Sequence, residues 1–276
     1  MGTVHLVATP IGNLEDVTLR ALRLLGEAEL VLAEDTRRTR ILLERHGVRA
    51  RPLSLHAHNE AARIGKALAV LEGGGSVALV SDAGTPLISD PGERLVAAAL
   101  EAGHAVSPVP GPSAVLSALA VSGLPCTPFT FLGFLPRRAG PRDALLAGLR
   151  DRPETLVLFE SPRRAGATLR RLAEVFGERR ACLARELTKR YEQVVRGPLD
   201  ELAERFAEGA RGEVTIVVEG AAAPRPVTRF EDLDDAIRAR IAAGETSRQI
   251  AAALARDARL PKRDVYARAV ALRDRS

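Results

Sequence analysis

Short apolar runs alternate with helical patterns along the first 123 residues, and this alternation restricts the possible folds most strongly. We predict strands at 4–8, 30–33, 77–81 and 105–109. Helical patterns such as 18–28 and 59–75 lie between them, the second with Asn59 as its N-cap. Because a helix that connects two strands usually makes them parallel, the sequence predicts an α/β fold with a mostly parallel sheet.

A second series of apolar runs follows with fewer helices between the strands, which favours a mixed sheet. Its predicted strands are 129–134, 155–160, 181–186, 193–197 and 213–220. Its predicted helices are near 141–150, 162–176 and 198–208. We therefore divide the chain into two α/β domains (1–123 and 124–220), a proline-containing linker (221–230) and a helical tail (231–276).

The net charge of +5 is concentrated in the tail. Residues 236–276 contain ten Arg or Lys against four Asp or Glu, whereas the other 235 residues contain 30 against 31. Arginine enrichment from codon usage would be spread evenly along the chain. The segment 246–270 also resembles a helix-turn-helix, so we favour nucleic-acid contact over a helical cap that only packs on the enzyme.

Several classes of protein are disfavoured by composition. No apolar run approaches the roughly 18 residues of a membrane span, and no secretory signal begins the chain, so we expect a cytoplasmic protein. Cys126 and Cys182 lack metal-type spacing and are expected to be buried thiols. His56 and His58 have no partner thiols, and we predict no metal site.

Three loops rich in Gly, Pro and small polar residues follow predicted strands, at 8–16, 81–92 and 108–114. Each alone could be an ordinary turn. The carboxyl ends of parallel strands share one edge of a sheet, where α/β proteins bind ligands, so together they predict a binding cleft. None has the glycine spacing of a nicotinamide-cofactor or nucleoside-triphosphate site.

Eight segments resemble, in order, those of a known family. They are "VATPIGNLEDVTLRAL", "AEDTRRTRILL", "SLHAHNE", "VSDAGTPLISDPG", "PVPGPSA", "FLGFLPRR", "FESPRR" and "ELTKRYEQVVRG". The chain is identified as similar to the bacterial small-subunit ribosomal RNA methyltransferase I family of the tetrapyrrole (corrin/porphyrin) methylase superfamily. Tyr191, Gln193 and Arg163 depart from the residues typical at their positions.

The resemblance implies a homodimer of two α/β domains with S-adenosylmethionine in the cleft between them. It also implies 2′-O-methylation of a decoding-centre cytidine in 16S rRNA. Carried over by motif, the cofactor-binding residues are Pro10, Gly84, Thr85, Pro86, Ile88, Ser113, Ala114, Glu160 and Leu187.

A group that accepts the hydroxyl proton can assist this methyl transfer. Our candidates are Lys189 and Glu192, with Asp35 and His56 as further possibilities. Lys189 would need a lowered pKa, from burial or from Arg190, and could equally be a phosphate-binding cation. Asp35 is better suited to capping the next helix.

Five arginines lie beside the site motifs and are predicted to contact rRNA phosphates, although solvated surface arginines are the commonest case. They are Arg137, Arg138, Arg163, Arg164 and Arg190. Only 3% of residues are aromatic, so base stacking should not dominate binding. The rival hypotheses are a methylase of a tetrapyrrole or other small molecule, and a non-enzymatic, ligand-sensing DNA-binding regulator.

Overall fold

A computed structural model of the protein describes residues 1–56, 59–222, 230–257 and 260–273. The chain forms two compact units, Met1–Ala221 and Ala222–Ser276. The predicted linker falls mostly on 223–229, outside the described residues. None of the helices in the described part of the chain is long and apolar enough to cross a membrane.

The first sheet has five strands in the order β3-β2-β4-β1-β5, and all of its strand pairs are parallel. Its strands are β1 (Thr3–Val7), β2 (Leu30–Ala33), β3 (Leu53–Ser54), β4 (Ser76–Val80) and β5 (Ala105–Val109). The predicted α/β fold with a parallel sheet is therefore confirmed. The sequence analysis missed β3, because two residues are too few to show an apolar pattern.

Helices cover both faces of this sheet. They are α1 (Leu19–Glu27), α2 (Thr36–Arg45), α3 (Glu60–Glu72) and α4 (Glu93–Glu101). Along β4, Val77 and Leu79 belong to one hydrophobic cluster, while Ala78 and Val80 belong to another. Strands buried on both faces are apolar at every position, which is why these runs were recognisable in the sequence.

Polar side chains fix where the helices begin. The hydroxyl of Thr18 accepts a hydrogen bond from the backbone of Ala21 at the start of α1. Asp35 does the same for Arg37 at the start of α2, as predicted. Asn59 occupies the N-cap position of α3, but its side chain accepts from the His56 N–H instead of capping the helix.

The second sheet is mixed, as predicted, with the order β6-β7-β10-β8-β9. Its strands are β6 (Phe129–Phe134), β7 (Thr155–Glu160), β8 (Arg180–Arg185), β9 (Gln193–Pro198) and β10 (Val214–Val218). Only β6 and β7 pair in parallel, and the other neighbours are antiparallel. Its helices are α6 (Ala139–Gly148), α7 (Ala165–Phe176) and α8 (Leu199–Arg205).

Helix α5 (Ala114–Ser122) follows β5 in sequence but packs on the second sheet. Its residues Val115, Ala118 and Leu119 share a hydrophobic cluster with Val157 of β7 and Val217 of β10. A different cluster on this sheet includes residues of α7 and α8. The two α/β halves are thus joined by a helix that leaves one sheet and completes the core of the other.

The two cysteines differ in exposure. Cys182, on β8, is buried, and burial raises the pKa of its thiol to about 11. Cys126 is exposed and lies in the segment between α5 and β6. The prediction of two buried thiols is wrong for Cys126.

The second compact unit contains α9 (Phe230–Ala242), α10 (Ser247–Asp257) and α11 (Lys262–Arg273). They have their own core, which includes Leu233, Ile237, Ile250 and Val265. Over 222–276 there are 12 Arg or Lys against eight Asp or Glu, a net charge of +4. The excess is smaller than over 236–276 because four acidic residues lie between 231 and 235.

Candidate active site

The three predicted loops meet at the carboxyl edge of the first sheet. Thr9, after β1, and Gly84, after β4, exchange two backbone hydrogen bonds of 2.9 Å. Ser81 strengthens this contact, because its backbone carbonyl accepts from the Thr9 hydroxyl and its own hydroxyl donates to the Gly84 carbonyl.

Gly84 lies where the three loops come closest. Its φ of +81° is in the left-handed region, which side chains with a Cβ rarely adopt. A Cβ added there would lie 3.5 Å from Ile11 Cγ2 and 3.7 Å from the Pro112 carbonyl oxygen, so all three loops surround this position. Glycine is thus required by the backbone conformation more than by a clash at Cβ.

A cavity of about 250 Å³ opens beside these loops. Its apolar lining includes Ile11, Leu14, Ile41 and Leu42. Its charged lining consists of Arg38, Asp82, Lys189 and Glu213. The first sheet's loops, α2 and the second half of the chain therefore all contribute to one site.

The second half reaches this cavity through the "ELTK" segment (186–189). The Asn13 N–H donates to the Thr188 hydroxyl at 3.0 Å, and a Cβ on Gly12 would lie 2.8 Å from the Leu187 carbonyl oxygen. Glu186 and Thr188 have φ values of +51° and +65°. Strained backbone of this kind clusters at ligand sites.

Charged side chains form a chain of ion pairs across the site. The Lys189 ammonium lies 2.9 Å from Glu186 and 3.1 Å from Glu213. Arg38 lies 3.7 Å from Glu213 and 3.8 Å from Asp82. Because Arg38 is on α2 and Glu213 precedes β10, these pairs connect the two halves of the chain.

The lowered pKa that Lys189 needs to act as a base is not found. Burial lowers its pKa, but hydrogen bonds to Glu186 and Glu213 outweigh burial and raise the pKa above its ordinary value. The two carboxylates favour the charged ammonium. Lys189 is therefore placed and charged as a cation at the cavity.

The other candidate proton acceptors have structural partners. Glu192 is exposed, does not line the cavity, and accepts from the Thr188 N–H at 2.6 Å, so it supports the "ELTK" segment. Hydrogen bonds from the Arg37 side chain and backbone lower the pKa of Asp35 to about 2. His56 is not among the residues that line the cavity.

The predicted cofactor residues of the first half lie in or beside the three loops. Pro10 lines the cavity, and Thr85 and Ile88 are exposed on the loop after β4. Pro86, on the same loop, is buried. Ser113 caps α5, of which Ala114 is the first residue.

The predicted residues of the second half are more enclosed. The Glu160 carboxylate accepts from the Ser161 N–H and the Thr168 hydroxyl, and it pairs with Arg164 at 3.1 Å. Its side chain is fully buried, and its contacts with Thr168 and Arg164 stabilise the start of α7. Leu187 packs its side chain against the cluster under α5, which leaves its backbone facing Gly12.

The five arginines separate into two groups. Arg164 pairs with Glu160 and donates to the Leu135 carbonyl oxygen, so its guanidinium already has two acceptors within the domain. The other four are exposed, and none has an ion pair with a carboxylate in the described part of the chain. They are Arg137, Arg138, Arg163 and Arg190.

The sequence analysis missed a cluster of three carboxylates at the cavity. Asp82 lines the cavity, and Glu34 and Asp90 interact with the charge of Asp82. Burial and the charge of Asp82 raise the pKa of Glu34. Burial and the charges of Glu34 and Asp82 raise the pKa of Asp90 to about 6. The aspartates of the loop 81–92 were a visible signal in the sequence, but Glu34 follows a different strand.

Residues 3–203 match the model of the tetrapyrrole (corrin/porphyrin) methylases. The chain belongs to this family. A solved structure, uroporphyrin-III C-methyltransferase from Thermus thermophilus complexed with S-adenyl homocysteine, has the same fold. It is 24% identical with a TM-score of 0.56, over 78% of this chain and 97% of that chain.

Curated relatives within the family are more similar in sequence. "Ribosomal RNA small subunit methyltransferase I" of Mesorhizobium japonicum is 50% identical over 80% of this chain and 76% of its own length. The protein of the same name from Synechocystis sp. is 44% identical over 96% of both chains. The resemblance identified from the eight motifs is confirmed.

Proposed function

We propose that this tetrapyrrole methylase family member transfers a methyl group from S-adenosylmethionine to the 2′-hydroxyl of a decoding-centre cytidine in 16S rRNA. The observation that carries the proposal is the relative from Synechocystis sp., which is named for rRNA methylation and matches 96% of both chains. The match includes the tail as well as the two α/β halves. The resemblance of the eight motifs supports the ribose position.

The loops around Gly84 fit the proposed cofactor. Adenosine needs apolar walls and backbone hydrogen-bonding groups, which glycine and proline loops provide where a backbone must approach a ligand closely. The residues proposed to hold it are Pro10, Gly84, Thr85, Pro86, Ile88, Ser113, Ala114 and Leu187. Glu160 is proposed to contribute through its backbone, because its carboxylate is already occupied. When bound, the cofactor supplies a methyl group activated by its sulfonium.

The protein's contribution to the reaction is placement and charge. Holding the ribose hydroxyl in line with the methyl group lowers the barrier by several kcal/mol. Lys189, Arg38 and the four exposed arginines are proposed to hold phosphates of the substrate, because charge-assisted hydrogen bonds to phosphate are strong. Glu192 is proposed to act indirectly, through the conformation of the "ELTK" segment.

The proposed setting is the cytoplasm, where a homodimer acts on rRNA within the small ribosomal subunit. The exposed Arg248 and Lys262 of the second compact unit have no ion pair among the described residues, and we propose that they contact phosphates. Arg238 and Arg268 are instead paired with Asp235 and Asp234. The tail is thus proposed to bind rRNA through a subset of its cations.

The test is methyl incorporation from labelled S-adenosylmethionine into small subunits and into free 16S rRNA. Label should enter rRNA, and the labelled position should resist alkaline cleavage, because a 2′-O-methyl group removes the nucleophile of that cleavage. Label on a base at a still-cleavable position would contradict the ribose assignment alone. Transfer to a tetrapyrrole, with none to rRNA, would favour the rival methylase.

A further inference from the structure

We infer that Asp82 is the group that orients the ribose hydroxyl and accepts its proton. This inference rests on the proposed function, because it assigns a role within the same reaction. It follows from the placement of Asp82 in the cavity and from its hydrogen bond. It also follows from the structural partners that the other candidate proton acceptors already have.

Asp82 is in the right part of the cavity for this role. It lines the cavity together with Pro10 and Lys189, and it precedes Gly84 of the proposed cofactor loop by two residues. Its side chain is 25% exposed, so it is accessible from the cavity and partly shielded from water. A group this close to the cofactor loop can contact a hydroxyl placed against the methyl donor.

The two carboxylate oxygens of Asp82 have different surroundings. Oδ1 accepts from the Asp35 N–H at 2.8 Å, which fixes the orientation of the carboxylate. Oδ2 is 3.8 Å from Arg38 Nε, too far for a hydrogen bond. Oδ2 therefore retains capacity to accept a hydrogen bond from a substrate hydroxyl.

Charged groups from both halves of the chain surround Asp82. On the first half of the chain it is surrounded by Glu34, Asp35, Arg38 and Asp90, and across the cavity by Lys189 and Glu213. Its negative charge helps to raise the pKa values of Glu34 and Asp90. Lys189 is held in the charged form, so it does not compete for the proton.

The proposed step is balanced. The hydroxyl oxygen forms a bond to the methyl carbon, and the bond between that carbon and the sulfonium sulfur breaks with its electron pair left on sulfur. The hydroxyl proton moves to Asp82 Oδ2 and is then released to water. Asp82 Oδ1 keeps its hydrogen bond from Asp35 throughout.

The test compares Asp82→Asn with Glu34→Gln. The first substitution keeps the shape of the side chain and an oxygen for the Asp35 N–H, but the amide cannot take a proton. Single-turnover methyl transfer should fall about 100- to 10,000-fold, the usual contribution of a general base. Its rate should then increase with pH, because hydroxide replaces the missing base. Glu34→Gln also removes a charge beside Asp82, but Glu34 neither lines the cavity nor is hydrogen-bonded to Asp82, so its effect should be below about fivefold.

A binding measurement tests the same contact without methyl transfer. In the presence of S-adenosylhomocysteine, the unaltered protein should bind the rRNA substrate about 10- to 100-fold more tightly than the same RNA with 2′-deoxycytidine at the target position. Asp82→Ala, which removes both carboxylate oxygens, should lose most of this discrimination while it keeps its affinity for S-adenosylhomocysteine. Unchanged discrimination would overturn the contact.

The outcomes separate this inference from the proposed function. If Asp82→Asn methylates rRNA within about fivefold of the unaltered rate and with the same pH profile, Asp82 is not the proton acceptor, and the proposed function stands. If the unaltered protein binds the cofactor but transfers no methyl group to rRNA, the proposed function fails and this inference fails with it.

Discussion

Gly84→Val should weaken cofactor binding while the chain still folds. An added Cβ would meet Ile11 and Pro112 only at ordinary contact distances, so Gly84→Ala should cost just the backbone strain of a φ of +81°. That strain is about 1–2 kcal/mol. Valine adds two methyl groups between loops already in contact, and overpacking contributes about 1–3 kcal/mol more. Because the overpacked loops form the proposed cofactor site, the Kd for S-adenosylhomocysteine should rise about 5- to 150-fold.

The control is Gly103→Val, at the turn between α4 and β5. Gly103 has nearly the same φ, +78°, but a Cβ there would meet nothing within 4 Å. Titration calorimetry should give unchanged affinity for this variant, although thermal unfolding should show a similar loss from backbone strain. Equal affinity of a folded Gly84→Val protein and the unaltered protein would refute the assignment of these loops to the cofactor.

Three further results are expected. Lys189→Ala should weaken rRNA affinity about tenfold with little change in single-turnover rate at saturating RNA, whereas Lys189→Arg should retain affinity. A loss of rate without a loss of affinity would place Lys189 in the chemical step. The folded-state pKa of Asp90, about 6, is above its ordinary value, so the free energy of unfolding decreases as pH rises from about 4 to 6. Asp90→Asn should therefore raise the free energy of unfolding by about 1 kcal/mol at pH 7 and leave it unchanged near pH 4, as measured by urea titration. Equal effects at both pH values would contradict the raised pKa of Asp90. Removal of 222–276 should leave cofactor affinity intact and reduce the log–log salt slope of RNA binding by about 0.7–0.9 per lost phosphate contact. Arg248→Ala should reduce this slope more than Arg238→Ala, because Arg238 is already paired. An unchanged slope after removal of 222–276 would make the tail a structural cap.

Most of the fold could be predicted because burial is visible in composition. Strands covered on both faces, such as β4, are apolar throughout, and polar residues such as Thr18 and Asp35 mark the helix starts. The strand β3 could not be predicted, since two half-buried residues carry no pattern. The exposure of Cys126 could not be predicted, because Leu124, two residues earlier in the same segment, is buried and no local pattern separates the two positions.

The site could be predicted only where it depends on strand ends. The loops containing Pro10 and Gly84 were recognisable because parallel strands place their carboxyl ends together. The pKa of Lys189 could not be foreseen, because Glu213 is 24 residues away in sequence and meets Lys189 only in the fold. Asp82 was likewise distinguished from Asp90 only by the hydrogen bond from Asp35 and by the cavity.

Helix α5 makes the two α/β halves mutually dependent for folding. Its N-cap, Ser113, belongs to a loop of the first sheet, while Val115, Ala118 and Leu119 fill the core of the second. A fragment that begins after residue 123 would therefore expose an apolar face of the second sheet, and one that ends there would carry an uncovered apolar helix. Denaturant should unfold 1–221 in a single transition, and two fragments cut at 123 should recover native circular dichroism only when mixed.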